Sequence, residues 1–322
     1  MVTAPTPRDT LFREGTAALY RFRSPDKPGE RPPVLLVPSL INRWYVLDLR
    51  PGASVVQALL DAGLDVYCLD WGVPHDEDRY LEWDSVVARI GRMLRRVAHE
   101  TGVSRIGLLG YCIGGTLTAI HTALEPDSVA ALVNLAGPID FEHAGFLGTM
   151  TDPRWFDPHA IAEAGNISAQ QMQSGFIALR PTSQIAKWVT FFERLEDPQR
   201  LEAFQALDQW ASENIPFPGA AYVRYIRELY QENQLVRGEH HIAGRRVDLE
   251  NIKCPLLTIV TERDAICPPP AARALGESSG SPDTSVLSIP GGHVGAVVGK
   301  RASKELYPKL GEWLREKINT SG

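Results

Sequence analysis

Cys112 stands in Gly110-Tyr111-Cys112-Ile113-Gly114-Gly115, a nucleophile flanked by glycines. The apolar run Ile106-Gly107-Leu108-Leu109 precedes it and the helix-like stretch Thr116 to Leu124 follows. A strand that reverses sharply into a helix exposes one side chain at the sheet's C-terminal edge, and small residues must flank it to avoid clashes. The helix N-terminus then lies just below the sulfur, where its positive end favours thiolate. The plainer reading is a buried cysteine on a core turn. Strand before, helix after and the doubled glycine favour catalysis.

Two further residues follow in the chain order nucleophile, acid, histidine. Leu256-Leu257-Thr258-Ile259-Val260 reads as a buried parallel strand, with Thr261-Glu262-Arg263-Asp264 as its exit loop. Ser285 to Ile289 reads as the next strand, with Pro290-Gly291-Gly292-His293 as the loop after it. Asp264 and His293 thus both fall at carboxyl ends of late strands, where open α/β sheets place their active sites. Taken singly, Asp264 could cap the helix after Pro268 and His293 could be a solvent-exposed loop residue. Taken together and in this order, Cys112, Asp264 and His293 form a catalytic triad.

The elements that must hold these residues alternate. Pro33 to Val37, Asp65 to Asp70, Ile106 to Leu109 and Val129 to Ala136 are short apolar runs ending in turn residues. Helical patterns lie between them at Ala53 to Ala62 and Trp83 to Glu100. Strands alternating with helices mean a mostly parallel sheet with right-handed crossovers, and with the elbow they indicate an α/β-hydrolase fold. After Gly137-Pro138 the alternation stops, and the signals are helical at Ala169 to Leu179, Gln184 to Leu195, Leu201 to Trp210 and Ala220 to Gln231. The pattern resumes at Ile252 and ends in a helix from Ser303 to Ile318. The expected organisation is a core of residues 1–137 and 251–322 with an inserted helical cap over 138–250. Eight of the ten phenylalanines fall in that insertion: Phe141, Phe146, Phe156, Phe176, Phe191, Phe192, Phe204 and Phe217. Some would form the cap's own core, and others would line an apolar tunnel over Cys112 and exclude water.

Composition narrows the function classes. With 322 residues, 44% of them hydrophobic, the chain can bury a large core. A net charge of −6 gives no reason to expect nucleic acid or an anionic membrane as partner. The Thr- and Pro-rich start has no signal-peptide pattern, and no stretch of 18 apolar residues occurs, so a cytoplasmic protein without a membrane span is expected. Cys68 reads as a core residue, and Cys254 and Cys267 show neither metal spacing nor a setting that favours a disulfide. The His240-His241 pair has no evident third ligand, which suggests a surface turn. No metal and no cofactor are expected.

The chain resembles the catalytic subunit of polyhydroxyalkanoate synthases, in particular the short class III and class IV kind. The similarity runs from about Arg13 to Trp313. It includes Ile41-Asn42-Arg43-Trp44-Tyr45-Val46-Leu47-Asp48-Leu49-Arg50-Pro51, Gly63-Leu64-Asp65-Val66-Tyr67 and Asp70-Trp71-Gly72. The Cys112 box follows, then Gly175-Phe176, Leu179-Arg180-Pro181, Pro218-Gly219 and Leu229-Tyr230-Gln231-Glu232-Asn233-Gln234-Leu235. Val247-Asp248-Leu249, Asp264 with Pro268, and Gly292-His293-Val294-Gly295 complete the order.

The resemblance implies a transferase that takes (R)-3-hydroxyacyl-CoA, extends a polyester and releases CoA, which is then a leaving group and not a cofactor. By resemblance Cys112 carries the acyl chain and His293 takes the thiol proton. Asp264 supports the histidine or helps to activate the incoming 3-hydroxyl. A homodimer, an activating subunit and a place in the cytoplasm at polyester granules are implied in the same way. Cysteine suits this reaction, because thiolate attack on a thioester yields another thioester and preserves its reactivity. A thiol with an ordinary pKa of about 8.5 is also easily activated and leaves well. The oxyanion would be held by the backbone N–H of Ile113 and by one from the loop after Val37, at Ser39 or Leu40, with Leu40 preferred.

Three departures stand out: Ala265 where the family often has histidine, Trp44 where proline is common, and Ser212-Glu213 in place of Asn-Asp after Trp210. Rival readings are a dienelactone-hydrolase-like enzyme, a polyester depolymerase or thioesterase, and a non-catalytic granule-binding paralogue. The large insertion argues against the first and the intact triad against the last.

Overall fold

The computed structural model describes residues 3–24, 31–179 and 197–320. Its centre is an eight-stranded sheet: β1 (Arg8–Glu14), β2 (Ala17–Phe22), β3 (Pro33–Val37), β4 (Asp65–Asp70), β5 (Ile106–Tyr111), β6 (Val129–Leu135), β7 (Leu256–Thr261) and β8 (Thr284–Ile289). The spatial order is β1-β2-β4-β3-β5-β6-β7-β8, with β2 antiparallel to both neighbours and every pair from β4 to β8 parallel. Strands β3, β5, β6 and β7 are buried along their whole length, as a parallel sheet covered on both faces requires. β8 forms an edge and alternates between exposed and half-buried positions. The β1–β2 hairpin, turning at Gly15 with φ +57°, was not legible as strands, since an edge strand such as Arg8–Glu14 carries no apolar run.

The crossover helices pack by their apolar faces. Helix α1 (Val55–Asp61) begins two residues later than its sequence pattern suggests, because Ala53–Ser54 pairs with Asp48–Arg50 and Ser54 caps the helix through the Gln57 amide at 2.9 Å. Helix α2 (Trp83–Thr101) buries Trp83, Val86, Val87, Ile90, Met93, Leu94 and Val97 and stops at Gly102, whose φ of +71° ends it in a left-handed turn. Helix α3 (Ile113–Leu124) follows the elbow and is buried on all sides until its last residue.

Between β6 and β7 the described residues add no strand to the sheet. They form α4 (Ala169–Leu179), α5 (Pro198–Ser212), α6 (Gly219–Arg224) and two short turns of helix at Phe146–Met150 and Pro158–Ala162. After Arg224 the helix continues with a widened π turn over Tyr225–Gln231. The helix expected at Gln184 to Leu195 lies outside the described residues. After β7 come α7 (Pro269–Ser278) and α8 (Tyr307–Thr320), the latter entered through a π stretch, Ala302–Leu306.

The insertion is tied to α2 by a buried polar network. Arg224 pairs with Asp84 of α2 and donates to both oxygens of Glu228 at 2.9 and 3.0 Å. Trp83 donates its indole N–H to His240 Nε2 at 3.2 Å, which leaves the ring proton on Nδ1, 3.0 Å from Glu228 Oε2. His240 is therefore fully buried and not part of a surface turn, while His241 is exposed. A polar pair in sequence does not reveal that one member faces a core tryptophan. Burial opposes the Glu228 charge, but the His240 and Arg224 contacts outweigh it and lower its pKa from 4.5 to about 2. A depressed carboxyl pKa adds stability above about pH 4.5 that fades as the pH falls toward 2. Glu228→Ala is expected to lose about 2 kcal/mol of stability at neutral pH. Urea unfolding should show that gap narrowing below pH 4.5; equal stability at pH 7 would refute the anchoring role.

Candidate active site

Cys112 joins β5 to α3 with φ +57° and ψ −128°, a conformation that side-chain-bearing residues rarely adopt. Its amide donates to Leu135 O at 3.0 Å and its carbonyl accepts from the Gly115 amide at 2.8 Å, which fixes the turn. The flanking glycines are required by space. A Cβ on Gly110 would overlap Gly114 O and Thr118 Oγ1, one on Gly114 would overlap Val37 O, and one on Gly115 would overlap Asn134 Oδ1. The elbow thus presses against the end of β3, beside the loop that carries Ser39 and Leu40. Neither the Ile113 nor the Leu40 amide has an acceptor among the described residues.

Asp264 and His293 meet at the carboxyl ends of β7 and β8. His293 Nδ1 lies 2.7 Å from Asp264 Oδ2, which also accepts from Thr261 Oγ1 at 2.8 Å. Asp264 Oδ1 accepts from the Ile266 and Cys267 amides, both at 2.9 Å. Helix α7 is capped at Pro268, so Asp264 is not its cap, and His293 is buried with 8% exposure. Burial would raise the Asp264 pKa, but the bonds from His293, Cys267 and Thr261 outweigh it and hold the carboxyl below its ordinary range.

His293 Nε2 has no partner of regular hydrogen-bond geometry among the described residues. Cys112 also acts on this ring. Burial disfavours a charged ring, yet the neighbouring Cys112 and the bonded Asp264 raise the His293 pKa from 6.5 to about 10. Tyr111 stacks on the same ring, centroids 5.3 Å apart and planes at 28°. Burial pushes the other three thiols up, Cys254 to about 11, and all four cysteines are free.

Two cavities meet at Cys112. One of about 380 Å³ is lined by Ile41, Leu147, Met150, Phe156, Phe217 and Tyr225 among others, mostly from the insertion, and among the described residues none in its wall is charged. The other, about 240 Å³, holds His293 and Tyr111 beside Asn42, Gln173, Trp210 and Asn214. The phenylalanines divide: Phe156 and Phe217 face the larger cavity, Phe141 is core, and Phe146 is 53% exposed. Phe204 is half-buried, while Phe191, Phe192 and the Phe176 side chain lie outside the described residues.

Residues 32–299 match the alpha/beta hydrolase fold family, and residues 2–59 match the N-terminus of poly-beta-hydroxybutyrate polymerase. The chain is 34% identical to the poly(3-hydroxyalkanoate) polymerase subunit PhaC of Allochromatium vinosum, over 98% of its own length and 90% of that protein's. It is 35% identical to the subunit of the same name from Haloferax mediterranei, over 98% of its length and 65% of that protein's. The chain belongs to the poly(3-hydroxyalkanoate) polymerase family. The fold also matches a putative lipase from Sulfolobus solfataricus, with TM-score 0.60 at 15% identity and coverage of 96% and 99%. Est1E from Butyrivibrio proteoclasticus matches with TM-score 0.57 at 13% identity, covering 94% and 96%.

Two of the departures from the family pattern take part in local packing. Trp44 is 3% exposed and packs on Tyr20 and Phe22, and Glu213 accepts from Tyr45 at 2.7 Å. Among the described residues no helix is long and apolar enough to cross a membrane, and no cluster of three His, Cys, Asp or Glu could hold a metal.

Sequence reasoning missed Tyr225 and Tyr230, which line the larger cavity with their phenols within hydrogen-bonding reach of each other. Residues five apart lie about 140° apart on an α-helix, so no helical face would group them. The π turn brings them to one side. The ring stacked on His293 was also missed, although Tyr111 lay inside the Cys112 motif. With Cys112 the largest influence raising the His293 pKa, Cys112→Ala is expected to lower it. Imidazole NMR titration checks this; a wild-type ring titrating near 6.5, or one unchanged in the variant, would contradict the pairing.

Proposed function

We propose that this chain transfers (R)-3-hydroxyacyl groups from CoA thioesters to a growing poly(3-hydroxyalkanoate) chain through an acyl thioester on Cys112. The observation that carries the reading is the meeting, at one sulfur, of a buried His–Asp pair and a 380 Å³ cavity without charge among its described residues, in a chain of the polymerase family.

The steps follow from the residues. The Cys112 thiolate attacks the thioester carbonyl, and the charge that develops on oxygen is met by the Ile113 and Leu40 amides. The carbon–sulfur bond to CoA breaks, and the departing thiolate takes the proton held on His293 Nε2. A 3-hydroxyl then gives its proton to His293 as it attacks the acyl-Cys112 carbonyl, and Cys112 leaves as thiolate. Asp264 accepts four hydrogen bonds, which fills both carboxylate oxygens. That favours an orienting role through His293 over direct contact with the hydroxyl.

Residues 138–250 are read as a cap whose apolar side chains keep water from the acyl thioester. We carry the homodimer and the activating subunit as part of the same proposal; the curated relatives are themselves named as subunits.

The test is product analysis with (R)-3-hydroxybutyryl-CoA, with and without a candidate activating subunit. CoA should be released with the acyl mass recovered as oligomer, and brief exposure should leave an acyl adduct on Cys112 that is absent in Cys112→Ala. His293→Ala should lower the rate by about 10³-fold or more. Free hydroxy acid formed one for one with CoA would make the chain a hydrolase. An adduct on Cys68, Cys254 or Cys267 would overturn the assignment of the nucleophile.

A further inference from the structure

Two cavities reach Cys112, and among the described residues their walls share one further residue, Ile266. The larger, of about 380 Å³, is walled chiefly by apolar side chains such as Leu147, Met150, Phe156 and Phe217. The smaller, of about 240 Å³, carries His293 beside Asn42 and Asn214. Ile266 thus borders both spaces, as the nucleophile does, and the reaction as derived gives it no task.

The place of Ile266 is set by the triad itself. It stands half-buried in the loop between β7 and α7, and its amide donates to Asp264 Oδ1 at 2.9 Å. The Cys267 amide donates to the same oxygen, also at 2.9 Å. The other oxygen of that carboxylate lies 2.7 Å from His293 Nδ1. One carboxylate therefore orients the imidazole and fixes the backbone that carries Ile266. Isoleucine branches at Cβ, which restricts χ1 and makes the side chain stiffer than a leucine or methionine of similar volume.

We propose that Ile266 is a specificity residue that rejects acyl groups branched at C2. The inference rests on the acyl-Cys112 reading given above, and its test separates the two. In the tetrahedral intermediate the carbonyl carbon carries Cys112 Sγ, the oxygen that faces the Ile113 and Leu40 amides, the group being exchanged, and C2. The exchanged group trades a proton with His293, which lines the smaller cavity and not the larger, so C2 is directed to the larger one. C2 is two bonds from the sulfur and cannot lie deep in that cavity. It sits in the neck bordered by Cys112 and Ile266. An unbranched CH2 passes the isoleucine there, whereas a methyl branch is driven against a side chain that cannot swing aside. Carbons beyond C4 lie past the neck, against other residues, and Ile266 does not read them.

The test follows first-turnover loading of Cys112, by CoA release and intact mass, in the full chain and in Ile266→Ala and Ile266→Val. Three thioesters are compared: (R)-3-hydroxybutyryl-CoA, its 2-methyl analogue, and (R)-3-hydroxyhexanoyl-CoA, which is longer but unbranched at C2. The wild type should load the 2-methyl analogue about tenfold or more slowly than the unbranched parent. Ile266→Ala should narrow that gap to about twofold, and Ile266→Val, which removes a single methylene and disturbs the loop least, should narrow it in part. The ratio of hexanoyl to butyryl loading should be the same in all three proteins. A wild type that loads the branched thioester as fast as its parent, a gap unchanged in both variants, or hexanoyl and 2-methyl ratios that rise together would overturn the assignment. Oligomer formed from (R)-3-hydroxybutyryl-CoA with an unchanged gap would leave the polymerase reading standing without it. The expected loading pattern with free acid as the product would refute the polymerase reading and leave the role of Ile266 in place.

Discussion

The first turn of α3 can press onto the end of β3 only because Gly114 has no side-chain carbon to collide with the Val37 carbonyl. That one approach governs most of what surrounds it. It brings the loop after Val37 beside the start of α3. It forces the chain to turn in a single residue, and Cys112 takes a positive φ that costs about 1–3 kcal/mol. The bonds from the Cys112 amide to Leu135 and from Gly115 back to Cys112 hold the strained turn. Gly110 and Gly115 are fixed by the same crowding, one against α3 and the other against Asn134 and Gly137. A motif that reads as three glycines around a cysteine is therefore three separate steric requirements.

Around this fixed sulfur, polar groups are distributed by how much charge each must carry. Asp264 is buried but fully bonded, so it stays ionised and holds the imidazole by one nitrogen. His293 has its other nitrogen free for the reacting atoms and Tyr111 stacked along its plane, which restricts the ring without taking a hydrogen bond. Beyond the pair the polarity splits. Toward the insertion the described walls are mostly apolar, with the Tyr225 and Tyr230 rings in edge contact; toward α5 they carry Asn42, Gln173 and Asn214.

The core of the fold was legible in the sequence because a parallel sheet buries both faces of its strands. Pro33–Val37, Ile106–Tyr111 and Leu256–Thr261 are short, largely apolar runs bounded by turn residues, as strands buried on both faces require. Cys112 and Asp264 stood out as candidates because each follows such a run, and His293 because it follows the neighbouring strand Thr284–Ile289. Elements without that signature were not. The β1–β2 hairpin is an edge with mixed polarity, and the buried His240 depends on Trp83, 157 residues away. Tyr225 and Tyr230 share a wall through a π turn that a 3.6-residue period cannot express. The second cavity at Cys112 is lined by residues from β5, α4, α5 and the loops at Asn42, Asn214, Ile266 and His293, and a set so scattered has no linear pattern.

On the proposed reading, the insertion and not the triad decides between water and a hydroxyl. Cys112, His293 and Asp264 would deliver an acyl thioester to either, since the proton transfers are the same. Water is the smaller and more abundant nucleophile, so a transferase must make its entry unfavourable while admitting a polymer end. A mostly apolar cavity does this through desolvation: a water molecule there finds few partners beyond the tyrosine phenols and the Thr151, Gln171 and Ser174 side chains, whereas a hydroxyester brings its own carbonyls and buries its methylenes. The walls that create this preference come chiefly from residues between β6 and β7, which the Arg224–Glu228–His240 network fastens to α2. Anchoring of the insertion to the core and discrimination against water are then linked. Loosening the first should let water reach a thioester whose chemistry is otherwise intact.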